Sequence, residues 1–169
     1  EKLGMDKYEH VRENPYALRL FQGMGIGQVS DREFFDGFRK LTGSHASDEQ
    51  ITEATNAMLR YIPDEKKRIL LALRAAGYKT FLLSNTINMH WRYCVDKLFP
   101  MDGYTVNDYF DHTFVSQEMH MKKPDDEIFQ AVIAQAAIRP EETLFIDDLE
   151  MNCKAAERNG LHTFQNKQF

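Results

Sequence analysis

Lys79-Thr80-Phe81-Leu82-Leu83-Ser84-Asn85-Thr86 is the stretch on which the fold turns. A short run that becomes apolar and stops at small polar residues is the pattern of a parallel strand covered on both faces. An amphipathic helix over 64–76, closed by Gly77, precedes it. Another helix over 87–98 follows, with Ile87, Trp91, Val95 and Leu98 inward. The rhythm then repeats. A strand is expected over 112–115, a helix over 125–137, a strand over 143–146, a helix over 151–159 ended by Gly160, and a last strand over 161–164. Such alternation predicts an α/β fold, a parallel sheet with helices on both faces.

Towards the N-terminus the rhythm changes near residue 62, and the signals before it are helical. Ser30-Asp31-Arg32-Glu33 is a capping box, opening a helix on which Phe34, Phe35 and Phe38 share a face before Gly43 stops it. Ser47-Asp48-Glu49-Gln50 repeats the device, with Ile51, Ala54, Met58 and Tyr61 at helical spacing behind it. An earlier helix over 15–23 is expected to bury Ala17, Leu18, Leu20 and Phe21. The loop Gly23-Met24-Gly25-Ile26-Gly27 lacks the preceding strand and the following Lys-Ser/Thr of a phosphate loop, so it reads as a connector. Residues 1–62 therefore form a small helical unit, and residues 63–169 the α/β core.

The composition bounds the function. A hydrophobic fraction of 43% and a charged fraction of 28% are those of a soluble globular protein. No apolar run approaches the roughly 18–20 residues that span a bilayer, and the charged N-terminus shows no signal peptide. A net charge of −5 argues against a nucleic-acid partner, which calls for a basic face. Cys94 and Cys153 have no C-x-x-C spacing and read as free thiols of a cytoplasmic protein. The sequence says nothing of oligomeric state.

In open parallel sheets, sites form beyond the carboxyl ends of the strands. Ser84-Asn85-Thr86 follows the first strand, Ser116-Gln117 the second and Asp147-Asp148 the third, with Lys122-Lys123-Pro124-Asp125 in between. A hydroxyl, a lysine and an acid pair on one rim describe an anion site beside a divalent-metal site. Ser84 can donate to a phosphoryl oxygen, and the amides of Asn85 and Thr86, opening the next helix, can add more. Lys123, held extended by Pro124, supplies a compact positive charge for developing negative charge. Asp147 and Asp148 offer hard oxygen ligands suited to magnesium, which pairs carboxylates with substrate phosphate. Singly, each residue also has a plain role: Ser84, Thr86 or the acid pair as helix caps, and the lysines as solvated charges. Combined on one rim, they point to chemistry.

The segments 82–86, Lys123-Pro124 with Ile128-Phe129, and 145–148 resemble, in order and on the right elements, the second, third and fourth motifs of the haloacid dehalogenase superfamily. The resemblance covers essentially the whole chain. It implies a Rossmann-like core and makes the N-terminal helices the small helical cap of one branch. The style of Ser-Asn-Thr, Lys-Lys-Pro and Asp-Asp is closest to that branch's sugar-phosphate phosphatases. It further implies Mg2+ as cofactor, a small phosphorylated metabolite as substrate, Ser84 and Lys123 as catalytic residues, and Ser84, Asn85, Thr86 and Lys123 as substrate-binding residues. Asp147 and Asp148, with Asn152 as a further candidate, would hold the metal.

The departure is the first motif, an apolar strand ending Asp-x-Asp whose first Asp forms an aspartyl-phosphate and whose second acts as acid and base. No such strand precedes the cap, and Asp6 and Asp31 sit in helical contexts. In the family's sheet that strand lies centrally, between those ending at Ser84 and Asp147. The expectation is therefore a natural protein with roughly 10 to 25 further residues at its start, and an inactive 169-residue chain. Hydrolytic dehalogenation on the same scaffold, which needs no metal, and a non-catalytic regulatory module are the alternatives. The histidines, including His90 four residues from Cys94 and the pair His112 and His120, complete no zinc set and read as structural. Phe21, Met24 and Ile26 are candidates for substrate contact.

Overall fold

The computed structural model describes residues 14–167. Three helices come first: α1 (Pro15–Gly25), α2 (Asp31–Thr42) and α3 (Asp48–Asn56). Both capping boxes are formed, Ser30 with Glu33 and Ser47 with Gln50, so the entry points of α2 and α3 follow from local hydrogen bonding alone. Phe34 and Phe35 are buried with Leu20, Met24 and Ile51. Gly37 lets α2 settle onto α1, because a Cβ there would lie 2.4 Å from a Leu20 methyl. Met89 joins the same cluster from the α/β part of the chain, so the two parts share apolar surface.

Some details differ from the sequence reading. Leu18 and Phe21 are exposed, because the buried face of α1 runs Ala17, Leu20, Gly23 and Met24, one step further round the helix. The helix also extends through Gly23 to Gly25, and of the glycines expected in a loop only Gly27, at φ +66, adopts a conformation that favours glycine. α3 ends at Asn56, so Met58 and Tyr61 fall outside it and face solvent.

The remainder alternates. α4 (Asp64–Ala75) leads to β1 (Phe81–Ser84), then α5 (Asn88–Tyr93), which widens into a π-helical turn at Cys94–Leu98. That wider turn, closed by the Phe99 N–H on the Cys94 carbonyl, allows Trp91, Cys94, Val95 and Phe99 to reach one cluster with Val106, Tyr109 and Phe110. α6 (Val106–Tyr109), β2 (His112–Val115) and α7 (Ser116–Met119) follow, then α8 (Asp126–Ala136), β3 (Leu144–Asp147), α9 (Glu150–Arg158) and β4 (His162–Gln165). β1 pairs in parallel with β2, Phe81 opposite His112 and Ser84 opposite Val115. β3 pairs in parallel with β4, Leu144 opposite His162 and Asp147 opposite Gln165.

Among the described residues these are two separate two-stranded sheets, with β1 and β3 not hydrogen-bonded to each other. One face of the second pair carries α8 and α9 through Phe145, Ile128, Phe129, Ala155 and Ala156. The other face is bare: Leu144, Ile146 and Phe164 are 58%, 58% and 57% exposed. The expectation that this strand is buried on both sides is thus corrected, since α8 and α9 both pack on the Phe145 face. No helix among the described residues is long and apolar enough to cross a membrane.

Candidate functional site

The carboxyl ends of β1 and β3 meet at Lys123. Its ammonium donates to the Leu83 carbonyl at 2.9 Å and to Asp147 Oδ2 at 2.6 Å, and sits 5.5 Å from the centre of the Phe145 ring. The two charged side chains are only 9% and 6% exposed. Lys123 thereby ties the free edge of one half-sheet to the tip of the other. The segment that carries it lies between α7 and α8, in a turn closed by the Asp125 N–H on the Lys122 carbonyl at 3.0 Å with a cis Lys123–Pro124 bond, and not in the extended run expected ahead of a proline.

Asp147 is fully engaged. Its Oδ1 accepts from the Leu149 N–H and the Asn152 amide, both at 2.9 Å, while Oδ2 accepts from Lys123. Burial pushes its carboxyl upward. The hydrogen bonds from Lys123, Asn152 and Leu149 outweigh that and hold it below the usual carboxylate value. Asn152 therefore orients Asp147 here. Asp148 turns to solvent, with its carbonyl held by Gln165 at 2.9 Å. Behind them Cys153 is buried against the Asp147 carbonyl, and burial together with the Asp147 charge raises its thiol above the ordinary value.

Ser84 stands half-buried at the end of β1. Asn85 and Thr86 do not open a helix as expected, because α5 starts at Asn88 with Ile87 as its cap. Instead, the Thr86 N–H donates to Ser116 Oγ at 3.0 Å, and that hydroxyl donates on to the Thr86 carbonyl at 3.2 Å. The Thr86 amide is thus taken by the protein itself. The side chain of Asn85 faces Lys123, accepting its N–H at 2.9 Å and donating to its carbonyl at 2.8 Å.

The chemistry of this donor set suits magnesium. A buried, deprotonated Asp147 beside an open Asp148 supplies two hard carboxylates, and that ion completes its shell with water and substrate oxygen. Among the described residues no group of three His, Cys, Asp or Glu forms a metal-binding set. Three histidines are engaged elsewhere: His90 contacts the Thr55 carbonyl, His120 the Ile26 carbonyl, and the His112 ring lies 4.6 Å from that of Phe114, tilted by 59°. Asp31, the first residue of α2, accepts from Arg92 and lies in a helix as expected, whereas Asp6 lies outside the described residues.

Ser116 and Gln117, placed by sequence after the second strand, are given no role there. Ser116, fully buried, braces the loop after β1, and Gln117, also buried, has both amide atoms without a partner among the described residues. Their position directly after β2 was the only signal. The carbonyl of Gln117 lies under Gly27, where a Cβ would approach it to 2.0 Å, so α7 touches both the helical unit and the Ser84–Thr86 loop.

The chain is similar to known proteins over most of its length. The family profile of haloacid dehalogenase-like hydrolases matches residues 5–160. The D-ribitol-5-phosphate phosphatase of Bacteroides thetaiotaomicron is 29% identical over 164 residues, 97% of this chain and 79% of that protein. A solved HAD family enzyme from the same species is 41% identical with a TM-score of 0.91, over 97% of this chain and 80% of that one. Its structure in complex with magnesium and inorganic phosphate is 41% identical with a TM-score of 0.89, over 97% and 81% of the two chains.

Proposed function

The chain belongs to the haloacid dehalogenase-like hydrolases, and from that premise we propose that its site serves a magnesium-dependent phosphatase of small phosphorylated metabolites, a sugar or polyol phosphate. The observation that carries the reading is the Lys123–Asp147 contact at the meeting of the strand ends. A buried cation and a buried carboxylate are held together there, with a hydroxyl and a second carboxylate on the same rim. The similarity to a D-ribitol-5-phosphate phosphatase and to a structure holding magnesium and phosphate supports both the substrate class and the ion.

In this reading residues 1–62 are the cap and residues 63–169 the core. Lys123 neutralises charge on the transferring phosphoryl group and Ser84 donates a hydrogen bond to it. Asp147 and Asp148 hold the metal, with Asn152 fixing the orientation of Asp147. Magnesium, when bound, supplies further positive charge opposite the phosphoryl oxygens. Attack needs a carboxylate nucleophile and an acid–base partner, and no Asp-x-Asp occurs anywhere in the 169 residues. The reaction in the natural protein is accordingly assigned to an aspartyl-phosphate formed on a strand lying between β1 and β3.

The test is hydrolysis of p-nitrophenyl phosphate and D-ribitol-5-phosphate. The 169-residue chain is expected to be inactive. The same chain preceded by an apolar strand ending Asp-x-Asp is expected to turn over both, and to stop on chelation of magnesium. Turnover by the 169 residues alone would refute the assignment of the nucleophile. Inactivity of the extended chain towards phosphates, with metal-independent release of halide from 2-haloacids, would replace the phosphatase by a dehalogenase.

A further inference from the structure

We propose that Asn85 is a positioning residue that holds the Lys123 main chain and so keeps the Lys123 ammonium at the strand tips. The proposal rests on the phosphatase reading for its functional meaning, because there Lys123 is the cation that meets the phosphoryl group. The carboxamide of Asn85 makes a two-point pair with one residue. Nδ2 donates to the Lys123 carbonyl at 2.8 Å, and Oδ1 accepts the Lys123 N–H at 2.9 Å. Reversing the amide would set donor against donor and acceptor against acceptor, so its orientation follows from the pairing. The pair imitates a rung of sheet between two segments that no strand joins, and the partners are 38 residues apart in sequence.

The need for such a clamp follows from lysine's own structure. Four methylenes let an ammonium wander, and its main chain here lies in a loop ahead of a proline, with no strand or helix to fix it. Yet the ammonium meets the Leu83 carbonyl and Asp147 at once. Anchoring the main chain to the residue that follows Ser84 sets both distances from one side. Ser116 steadies the other end of the same loop through Thr86. Asn85 is itself exposed, so what it contributes is the direction of its two bonds and not apolar burial.

Lysine acetylation with an N-hydroxysuccinimide ester, read by site-resolved mass spectrometry on the 169-residue chain, tests this without requiring turnover. Lys122, exposed, is the reference for reagent access, and Lys67, buried on α4 and paired with Asp64, reports general loosening. In the unaltered chain Lys123 is expected to react far more slowly than Lys122. Asn85→Ala is expected to raise its rate about fivefold, the release that follows loss of two modest hydrogen bonds, with Lys67 unchanged. Asn85→Gln keeps the amide but displaces it, and is expected to behave like the alanine variant. An unchanged Lys123 rate in Asn85→Ala, a parallel rise at Lys67, or full protection in Asn85→Gln would each overturn the proposal. Because labelling reads geometry alone, a chain extended by the Asp-x-Asp strand that fails to hydrolyse phosphates would refute the phosphatase reading and leave this one standing.

Discussion

Replacing Lys123 by Met isolates what holds the strand tips together. At a separation of 2.6 Å and an effective dielectric near 20, the gross attraction in the pair is about 6 kcal/mol. Both ions are almost wholly buried, so much of that offsets their lost hydration. Removal of one partner from such a pair typically costs about 3–5 kcal/mol. The lower end applies, because Asp147 keeps its bonds from Asn152 and Leu149 and Met fills most of the vacated volume. A loss of about 3 kcal/mol at neutral pH corresponds to a fall in Tm of about 6–12 °C for a domain of this size. The pH dependence is the sharper signature. In the unaltered chain the Asp147 carboxyl is depressed, so its contribution is present above the unfolded value of about 3.9 and is lost as pH falls through the lower folded value. In Lys123→Met burial still pushes the carboxyl up while the hydrogen bond and charge of Lys123 are gone, so its folded value lies above that of the unaltered chain. The deficit measured by urea denaturation should therefore be full at neutral pH and shrink as acidification protonates Asp147 first in the variant and then in the unaltered chain. A deficit below about 1 kcal/mol at neutral pH, or one unaltered by acidification, would refute the reasoning.

Two further substitutions probe α7 by the same denaturation assay. Gln117→Met removes two buried amide atoms that lack partners and retains the volume, so it should stabilise the chain by about 1 kcal/mol; a destabilised variant would mean that those atoms are paired in solution. Gly27→Ala places a Cβ against the Gln117 carbonyl at a positive φ and should cost at least about 2 kcal/mol, whereas Gly43→Ala, at the same φ with open space around it, should cost only about 1 kcal/mol. Equal losses at the two glycines would remove the close contact from the explanation.

The parts of the fold that sequence revealed are those set locally. Ser30 and Ser47 announced their helices because a capping box needs only four residues, and Leu82-Leu83 and Phe145-Ile146 announced strands through composition. Ser84 and Asp147 were legible because a parallel sheet exposes the residues at the ends of its strands, and Lys123 through its place ahead of Pro124 between the second and third strands. What escaped was decided by tertiary partners. Nothing local tells that the Asn85 side chain and the Thr86 amide turn inward to Lys123 and Ser116, or that Asn152 spends its amide on Asp147. Leu144 and Ile146 read as buried because an apolar strand of four residues carries no mark of which face a neighbour will cover. Lys67 is equally unreadable: a lysine on an amphipathic helix looks solvated until the helix docks.

The bare side of the β3–β4 pair also bears on how the chain behaves in the test tube. Leu144, Ile146 and Phe164 stand in the open, with Leu149 and Met151 exposed close by in the chain, and such a patch is sticky whatever the pH. What keeps molecules apart is charge, and at pH 7 each carries a formal −5. Towards the isoelectric point of about 5.7 that repulsion fades while the apolar surface stays the same. Mildly acidic buffer is therefore where colloidal stability is poorest, although the Lys123–Asp147 pair, with its carboxyl held below the usual value, is still intact there.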